Sequence, residues 1–245
     1  MAKKGGQKKL KRLAAPRAFK IPRKQYKWVV NPMPGPHPKE RCIPVALLLR
    51  DYLGIAKNLR EVKYILRKGY LKVDGEEVKE YRYPLGLMDV IELVPTKQYY
   101  RLLPSGNYIL KPIPIEDVNE ANIKPLRIKN KTMVKGAKIQ LTTHDGRNFL
   151  LDSSSEYYYL KPGDTLIYSI SDKKLTGYIK MEPGVYALVI GGSRMGSIGR
   201  IEEIKKVHPL KPKVVRLKLD EETIETIFDY VFPIGVDKPI INVGG

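Results

Sequence analysis

The clearest hydrophobic periodicity of the chain predicts two short helices in its first third. Apolar residues recur every three or four positions there, the spacing that places them on one face of a helix. They are Val45, Leu48, Leu49, Tyr52 and Leu53 in the first helix and Leu59, Val62, Ile65 and Leu66 in the second. Pro44 suits a first helical turn, and Gly54 is expected to end that helix. Asn58 is the predicted N-cap of the second helix, with Glu61 completing a capping box and Gly69 ending the helix.

After the helices the pattern changes to an alternation of apolar and polar residues, which predicts β-strands. The segment YLKVDGEEV is expected to form a hairpin, because Asp74-Gly75 can adopt the positive φ angles of a type I′ turn. The segment MDVIELV is predicted to be a further strand, and its core residues are expected to be Val90, Ile91 and Leu93.

Residues 99–172 carry only β-type signals. Apolar residues alternate in KIQLTT and NFLLD, and residues 144–146 between them are typical of a hairpin turn. YYYL and TLIYSI are expected to be further strands, with the tyrosines at 157–159 alternating between the two faces. Turn signals at such regular intervals predict a small barrel or sandwich.

The stretch VIGGSRMGSIGRIEEI, residues 189–204, contains four glycines and allows two interpretations. A nucleotide site needs G-x-G-x-x-G before a long helix, or G-x-x-x-x-G-K-[ST]. Neither is present, since Arg200 follows Gly199 and Pro209 leaves room for only about two helical turns. A bent hairpin fits better, although helix and strand are nearly tied on periodicity after Gly199. In that hairpin the glycines would leave room for an RNA backbone, and Arg194 and Arg200 would supply charge.

The charge of the chain indicates a polyanionic partner. Its 245 residues include 45 Lys and Arg against 26 Asp and Glu, a net charge of +19, and such self-repulsion is typical of nucleic-acid-binding proteins. Residues 1–41 hold 13 of the basic residues and one acid, Glu40, and four prolines at 32–38 favour an extended path. We expect an arm that becomes ordered only against a partner. A solubilising or targeting tail is the alternative.

The second predicted helix has a basic outer face. When its apolar residues point inward, the opposite side is basic over two turns, at helical spacing. The outward residues are Arg60, Lys63, Tyr64 and Arg67, flanked by Lys57 and Lys68. A solvated basic face is the alternative on this helix alone, and the strongly basic arm beside it favours RNA binding.

Candidate catalytic and metal-binding residues are few. The single cysteine, Cys42, cannot form an internal disulfide, and three histidines make a structural zinc site unexpected. His37, His144 and His208 have no carboxylate or nucleophile at a recognisable local spacing, and residues 153–155 are expected to be a loop. No apolar run approaches the roughly 18 residues of a membrane span, and the N-terminus lacks a signal-peptide core. We therefore expect a cytosolic protein.

Several stretches resemble the small-subunit ribosomal protein family of archaea and eukaryotes called S4e. They are KKLKRLAAP (8–16), PMPGPH (32–37), PVALLLRDYLGIAKNLREVKYIL (44–66), KVDGEEV (72–78) and GGSRMGSIGRIEEI (191–204). The helices with their V-D-G hairpin are similar to the alpha-L RNA-binding motif of ribosomal proteins, pseudouridine synthases and tyrosyl-tRNA synthetases. The glycine loop resembles the KOW motif of ribosomal and transcription-elongation proteins.

Together, the patterns and the resemblance imply an α+β multidomain chain. The expected parts are a basic extended rRNA-binding arm (1–41), a small α+β alpha-L RNA-binding unit (42–98), a central β-barrel-like domain (99–172), an SH3-like KOW barrel (173–210) and a C-terminal segment packing on the β domains (211–245).

The resemblance implies a structural constituent of the small ribosomal subunit that binds rRNA directly, beside neighbouring ribosomal proteins in the cytoplasm. It implies no cofactor, metal, membrane or small-molecule substrate. In the arm, the residues expected to bind RNA are Lys8, Lys9, Lys11, Arg12, Arg17, Lys20, Arg23 and Lys24. In the rest of the chain they are Arg50, Lys57, Arg60, Lys63, Arg67, Lys68, Arg194 and Arg200. Their charges would neutralise phosphates and release counterions.

Two other functions stay open at this point. An RNA-modifying enzyme could use an alpha-L motif to deliver a catalytic domain to RNA, but Asp145 is the only candidate acid in residues 99–172. A free RNA-binding regulator that carries a KOW module is the third interpretation.

Overall fold

The computed structural model describes residues 9–106, 108–136, 138–152, 154–206, 212–219 and 222–243. Within these ranges the chain is mainly antiparallel β-sheet with a few short helices, which confirms the α+β class. The α-helices are α1 (Val45–Leu47), α2 (Leu59–Arg67) and α3 (Val118–Ala121), and α1 continues as a π-helical turn over Leu48–Tyr52. No helix in this part of the chain is long and apolar enough to cross a membrane.

The strands alternate with short turns along almost the whole described chain. In chain order they are β1 (Leu10–Lys11), β2 (Trp28–Val29), β3 (Ile43–Pro44), β4 (Leu71–Val73), β5 (Glu76–Glu77), β6 (Pro84–Leu85), β7 (Val90–Leu93), β8 (Gln98–Ser105), β9 (Tyr108–Ile115), β10 (Ile123–Val134), β11 (Lys138–Thr143), β12 (Asn148–Leu151), β13 (Thr165–Ser169), β14 (Lys174–Ile179), β15 (Tyr186–Val189), β16 (Ile198–Lys205), β17 (Val214–Lys218), β18 (Thr223–Ile227) and β19 (Val231–Gly235).

The predicted helix boundaries are confirmed for α2. The Asn58 side-chain oxygen accepts hydrogen bonds from the backbone N–H groups of Arg60 (2.9 Å) and Glu61 (3.0 Å). The Glu61 carboxylate accepts from the backbone N–H of Lys57 at 2.7 Å, one residue before the N-cap. Gly69, with φ +69°, follows the last turn. These contacts satisfy N–H groups that a helix start leaves without intrahelical partners.

The first sheet has the strand order β5-β4-β7-β8-β9 and shares a core with α1 and α2. Its β4–β5 connection is the predicted type I′ turn, with φ of 49° at Asp74 and 78° at Gly75. β8 and β9 extend this sheet through residue 115. The predicted boundary after residue 98 thus falls inside β8, and residues 99–115 share a sheet with the helical unit.

The arm packs on its own chain from Lys9 onward. β1 and β2 form a two-stranded antiparallel ribbon, here called the arm ribbon, in which Leu10 lies opposite Val29. Phe19, which is 1% exposed, and Ile21 belong to the same core as the first sheet and the helices. The partner that orders the described part of the arm is therefore the chain itself. Lys8 lies outside the described residues.

The second sheet has the order β12-β11-β10-β13-β14. The last strand, β14, lies beyond residue 172, where the central β domain was expected to end. The strand expected over the three tyrosines is wrong, because a 3-10 helix spans Glu156–Tyr159. Ser155 starts this turn, since its carbonyl oxygen accepts a hydrogen bond from the backbone N–H of Tyr158 at 3.0 Å. Three identical side chains in a row also provide no alternation that would define a buried face.

The third sheet has the order β18-β17-β16-β15-β19. Its β16 confirms a strand, not a helix, after Gly199. Three of the five strands come from the C-terminal segment, so residues after 211 complete the sheet around the glycine loop. Leu188 and Phe232 of this sheet share a core with Met88 and Leu103, which joins the third sheet to the first.

Candidate nucleic-acid interface

The outer face of α2 is basic and exposed, as its periodicity predicts. Val62 and Leu66 are fully buried on the opposite face. The exposed residues are Lys57, Arg60, Lys63, Tyr64, Arg67 and Lys68. The ammonium nitrogen of Lys63 lies 5.0 Å from the centre of the Tyr81 ring. Cation–π contact of this kind holds the lysine stem against a ring while the charge stays in solvent.

The arm ribbon presents a second group of exposed cations around an aromatic ring. Trp28 is 49% exposed, and the ammonium groups of Lys9 and Lys27 lie 5.9 Å and 5.5 Å from the centre of its ring. Lys11 is exposed beside them. Tyr26 is also mostly exposed. Basic residues interleaved with exposed aromatic rings are typical of surfaces that bind single-stranded nucleic acid.

The connection between the ribbon strands carries exposed cations and one cation, Arg23, that is bound to the protein backbone. Arg17, Lys20 and Lys24 are exposed. The guanidinium of Arg23 instead donates to backbone carbonyls of the same turn, those of Ala15 and of Pro16, the latter at 3.0 Å. Arg23 therefore holds the turn in shape, whether or not it also contacts RNA.

Arg12 differs from the other cations of the arm because its side chain is buried, with 3% exposure. Its guanidinium carbon lies 5.2 Å from the centre of the Tyr26 ring. Among the described residues its Nε and Nη1 atoms have no hydrogen-bond partner. The exposed surface does not include Arg12, and its phosphate contact stays a prediction.

A groove of about 520 Å³ separates the arm ribbon from the helices. Leu10 and Val29 of the ribbon and Leu59 at the start of α2 contribute apolar atoms to it. Trp28 and Tyr81 contribute aromatic rings. The groove exists only because the arm folds back on the helical unit, so its two sides come from distant parts of the sequence.

Cations also line this groove. Lys9 and Arg50 were predicted to bind RNA, whereas Arg82 was not, since no local pattern distinguishes it. The Arg50 guanidinium pairs with Asp51 at 2.7 Å. The Arg82 Nε donates to the carbonyl oxygen of Asn31 at 2.9 Å, which fixes its guanidinium at the groove. Trp28 was likewise not among the residues predicted to bind RNA, although the basic and aromatic residues of KQYKW were a signal for an exposed site.

The glycine loop makes its close contacts with the protein itself, which corrects the expectation that its glycines leave room for RNA. A Cβ on Gly199 would lie 2.7 Å from the carbonyl oxygen of Lys218 in β17. A Cβ on Gly191 would lie 2.9 Å from the ring of Tyr230. Gly196 has φ +93°, and its Cβ would lie 3.1 Å from the carbonyl oxygen of Pro104. These positions need glycine because other parts of the protein pack tightly against them: β17 at Gly199, Tyr230 at Gly191 and β8 of the first sheet at Gly196.

Arg200 lies in β16 of the third sheet and Arg194 in the loop before it, whereas the arm ribbon and α2 pack on the core of the first sheet. The Arg194 guanidinium pairs with the carboxylate of Glu222 at 2.9 Å, and both side chains are exposed. The guanidinium carbon of Arg200 lies 4.8 Å from the centre of the Tyr186 ring. The exposed residues that were predicted to bind RNA therefore lie on two surfaces. One is formed by the arm and α2, and the other carries Arg194 and Arg200.

A buried ion cluster lies where the turns of the first and second sheets meet. Lys124 of β10, with a side chain 1% exposed, contacts three carboxylates: Asp74 at 2.6 Å, Asp89 at 2.7 Å and Asp145 at 3.3 Å. Arg147 pairs with Asp74 at 2.9 Å and with Asp145 at 3.0 Å.

Electrostatics favour the ionised forms of Lys124 and Asp145, whereas burial raises the pKa of Asp74. Burial alone would lower the pKa of Lys124, but its three carboxylate partners outweigh burial and raise that pKa. Burial would likewise raise the pKa of Asp145, yet the charge of Lys124 above all brings it down to about 2. Each carboxylate also accepts hydrogen bonds; Asp89, for example, accepts one from the backbone N–H of Gly86 at 2.8 Å. A buried charge with this many partners is structurally stable.

The two described histidines border this cluster. His37 Nε2 lies 3.0 Å from Asp89. His144 donates from Nε2 to the carbonyl oxygen of Leu87 (3.1 Å) and accepts at Nδ1 from the backbone N–H of Arg127 (3.2 Å), which defines a neutral ring. Burial lowers the pKa of His144 to about 4. His208 lies outside the described residues.

These partners assign Asp145 a structural role. Its carboxylate is 2% exposed and is occupied by Lys124, Arg147 and the hydroxyl of Thr143, which donates to it at 2.5 Å. A catalytic acid needs access to its substrate, and the cavity beside this cluster measures only about 260 Å³. Within the described residues, no group of histidine, cysteine and acidic side chains could hold a metal ion.

Two family models match the chain. The model described as ribosomal family S4e matches residues 96–175, and the RS4NT domain matches residues 4–40. The second range covers most of the basic arm, and the first includes β8 to β13.

Curated relatives match the chain over nearly its whole length. The small ribosomal subunit protein eS4 of Aeropyrum pernix is 41% identical, with 99% of this chain and 98% of that protein covered. The protein of the same name from Staphylothermus marinus is 43% identical at the same coverage. Among solved structures, the crystal structure of the 30S ribosomal protein S4e from Thermoplasma acidophilum matches with a TM-score of 0.71. It is 34% identical, and 83% of this chain and 100% of that chain are covered.

Proposed function

Because the chain belongs to the S4e family of ribosomal proteins, we propose that it is a structural constituent of the small ribosomal subunit. In that role it acts in translation, in the cytoplasm, in contact with rRNA and neighbouring ribosomal proteins. It stabilises the folded rRNA through electrostatics and shape and carries out no chemical step.

One observation supports direct rRNA binding most strongly: the arm ribbon and α2, which both carry exposed cations, meet at one groove, to which the arm contributes Lys9 and α2 contributes Leu59. We name this area the basic surface. It comprises the exposed residues Lys9, Lys11, Arg17, Lys20, Lys24, Lys57, Arg60, Lys63, Arg67 and Lys68, together with the half-buried Arg50 at the groove. Folded RNA packs phosphates closely together, and such a surface neutralises several of them at once with release of counterions. Arginine adds bidentate phosphate contacts and stacking on exposed bases.

We infer that α1, α2 and the β4–β5 hairpin act as an alpha-L RNA-binding unit, with the outer face of α2 against the RNA. The hairpin of β15 and β16 with its glycine loop is the KOW-like part of an SH3-like barrel. Arg194 and Arg200 give this barrel a smaller charged surface, which contacts either RNA or a neighbouring protein.

The relatives support this function over an RNA-modifying enzyme, since they are ribosomal proteins over the full length of the match. The internal pairing of Asp145 agrees with that choice. A free RNA-binding regulator would have the same surface, and only association with the ribosome distinguishes it from a subunit constituent.

Sedimentation of cell extract through a density gradient tests the assignment to the small subunit. We expect the protein to migrate with small subunits at physiological salt and to dissociate from them only at high salt. Migration at the top of the gradient in physiological salt would contradict the proposal.

Variants of α2 in which cations are replaced by glutamine test the basic surface while the protein stays folded. In the triple variant Arg60→Gln, Lys63→Gln and Arg67→Gln, helix propensity is kept and three cations are removed. We expect the dependence of small-subunit rRNA affinity on salt to lose about 2 to 3 units of log–log slope, at about 0.9 per duplex phosphate contact. The control neutralises three exposed lysines on the other sheets: Lys174→Gln, Lys180→Gln and Lys218→Gln. Equal loss of slope in both variants would show that binding follows net charge and not this surface.

A further inference from the structure

The groove between the arm ribbon and α2 has the chemistry of a nucleotide site and not that of a plain phosphate-binding surface. At about 520 Å³ it lies within the range of small-molecule sites. Its apolar side is formed by Leu10, Val29 and Leu59. The backbone of an RNA duplex contacts cations and would leave this apolar surface uncovered. An unpaired base has an apolar face that would be buried here.

Trp28 supplies the stacking surface. It is the only tryptophan of the chain, and about half of its surface is exposed next to the groove. Side chains of this size contribute most when buried, so an exposed indole beside apolar walls indicates a partner that covers it. Bases stack on such rings with little dependence on their identity.

The cations that line the groove would contact the phosphate of a stacked nucleotide. Lys9 lies at the groove with its ammonium 5.9 Å from the centre of the Trp28 ring. Its side chain is exposed, so a base can take its place on the ring while the ammonium turns to the phosphate. Arg82 is held at the groove by its hydrogen bond to Asn31 and adds a second charge. Arg50 is partly neutralised by Asp51.

We propose that this groove binds one unpaired RNA nucleotide, with its base stacked on Trp28 and its phosphate on Lys9 and Arg82. The inference rests on the proposed function, because it specifies which feature of rRNA the basic surface recognises. An acidic peptide with an aromatic side chain is the alternative occupant. The basic surface extends far beyond the groove, and an RNA chain would cover more of it than such a peptide. The arm and the helical unit would thus recognise a flipped-out base together.

The single tryptophan allows a direct test, because stacking of a base on an indole quenches its fluorescence. The full-length protein is titrated with three probes: a 12-nucleotide single-stranded RNA, an abasic strand of the same length, and a blunt duplex RNA with the same number of phosphates. Binding is followed separately by the anisotropy of a dye on the RNA. We expect all three probes to bind at low salt and only the single strand with bases to quench Trp28 strongly.

Each other outcome has a defined meaning. Binding of the single strand without quenching overturns the nucleotide site and leaves the proposed function intact. Equal quenching by the abasic strand also overturns it, because charge alone would then perturb the indole. Absence of binding by any RNA contradicts the proposed function itself. Quenching by a glutamate-rich peptide containing tyrosine, as strong as that by RNA, would assign the groove to a protein partner.

Variants of the exposed ring provide a second readout. We expect Trp28→Leu to weaken binding of the single-stranded RNA about 5- to 100-fold, the range for loss of one base–aromatic stack, and to leave duplex binding within twofold. Trp28→Phe keeps a ring and should retain most of the affinity. Tyr159→Leu, at an exposed tyrosine of the 3-10 helix between β12 and β13, is the matched control and should change neither affinity. Equal loss of single-strand and duplex affinity in Trp28→Leu would refute a role in base stacking.

Discussion

Single side chains at the junction of the first and second sheets carry charges that are balanced inside the protein. Lys124 is surrounded by three carboxylates, and neutral His144 lies next to one of them. His144 fits its site only as a neutral ring, because its Nδ1 must accept a hydrogen bond from the Arg127 backbone N–H. Protonation would place a second N–H against that donor, in a buried position near Lys124 and His37.

We predict that this site makes the protein less stable as pH falls from about 6.5 to 4. The pKa of His144 is about 4 in the folded state and near its ordinary value of 6.5 in the unfolded state. The unfolded state therefore binds a proton first, and folding stability is complete above pH 6.5 and is lost progressively down to pH 4. The loss is up to about 3 kcal/mol at one histidine. Urea unfolding at pH 7, 6, 5 and 4.5 measures it.

The variant His144→Gln is the matched comparison. A glutamine amide can donate to the Leu87 carbonyl and accept from the Arg127 N–H, yet it does not titrate. We expect this variant to be less stable at pH 7 and to lose most of the pH dependence between 6.5 and 4. Asp145, with a pKa of about 2, contributes its own loss only below about pH 4. An unchanged slope in His144→Gln would show that other groups cause it.

Local patterns predicted some of these residue environments and not others. The outward face of α2 follows from helical spacing, so the exposure of Arg60 and Lys63 could be read from the sequence. The ion cluster could not, because Asp74, Lys124 and Asp145 come from separate turns and strands that only long-range pairing brings together. The burial of Arg12 has the same cause, since it depends on how the arm folds back.

Single elements show a similar division. The type I′ turn and the capping box are local, and both were predicted correctly because a few neighbouring residues determine them. The 3-10 turn at residues 156–159 was missed, since a row of tyrosines fits a strand and a turn equally well. In the glycine loop the pattern predicted the hairpin and gave the wrong reason for its glycines. The reason lies in segments that are adjacent in space only, such as β17 beside Gly199.

Gly199 distinguishes these two reasons. We expect Gly199→Ala to lower the free energy of unfolding by about 1–3 kcal/mol, because the new methyl group would lie 2.7 Å from the Lys218 carbonyl oxygen and force β16 and β17 apart. Its RNA affinity should stay within twofold of the unmodified protein. Thermal unfolding and RNA anisotropy measure the two quantities.

Gly177→Ala is the control for that substitution. Gly177 is also a strand glycine without positive φ, and its Cβ would meet only the Ile167 side chain at 3.4 Å, an ordinary contact. Its effect on stability should stay within about 0.5 kcal/mol. Loss of RNA affinity with unchanged stability in Gly199→Ala would restore the view that this glycine makes room for RNA.

The whole molecule is arranged differently from a chain of separate domains with a free arm. The sheets do not follow the predicted domain boundaries: β9 is an edge strand of the first sheet, and β14 is an edge strand of the second. The sequence pattern predicted strands and could not predict their pairing, because alternation defines a face and not a partner. The arm is the clearest case, since its apolar residues complete the core of the helical unit.

This arrangement predicts that the arm contributes to stability as well as to RNA binding. Phe19 is 1% exposed in the core shared with the helices, so we expect Phe19→Ala to cost about 3–5 kcal/mol in the free energy of unfolding. Leu13 lies in the same arm and is 70% exposed, and Leu13→Ala should change stability by less than about 0.5 kcal/mol. Urea unfolding of the RNA-free protein measures both. Equal and small effects would mean that the arm is a passive extension until RNA binds. A large effect of Phe19→Ala alone would mean that deletion of the arm removes core residues as well as charge. The phosphate contacts of the arm can then be measured only by replacing its exposed cations with neutral residues.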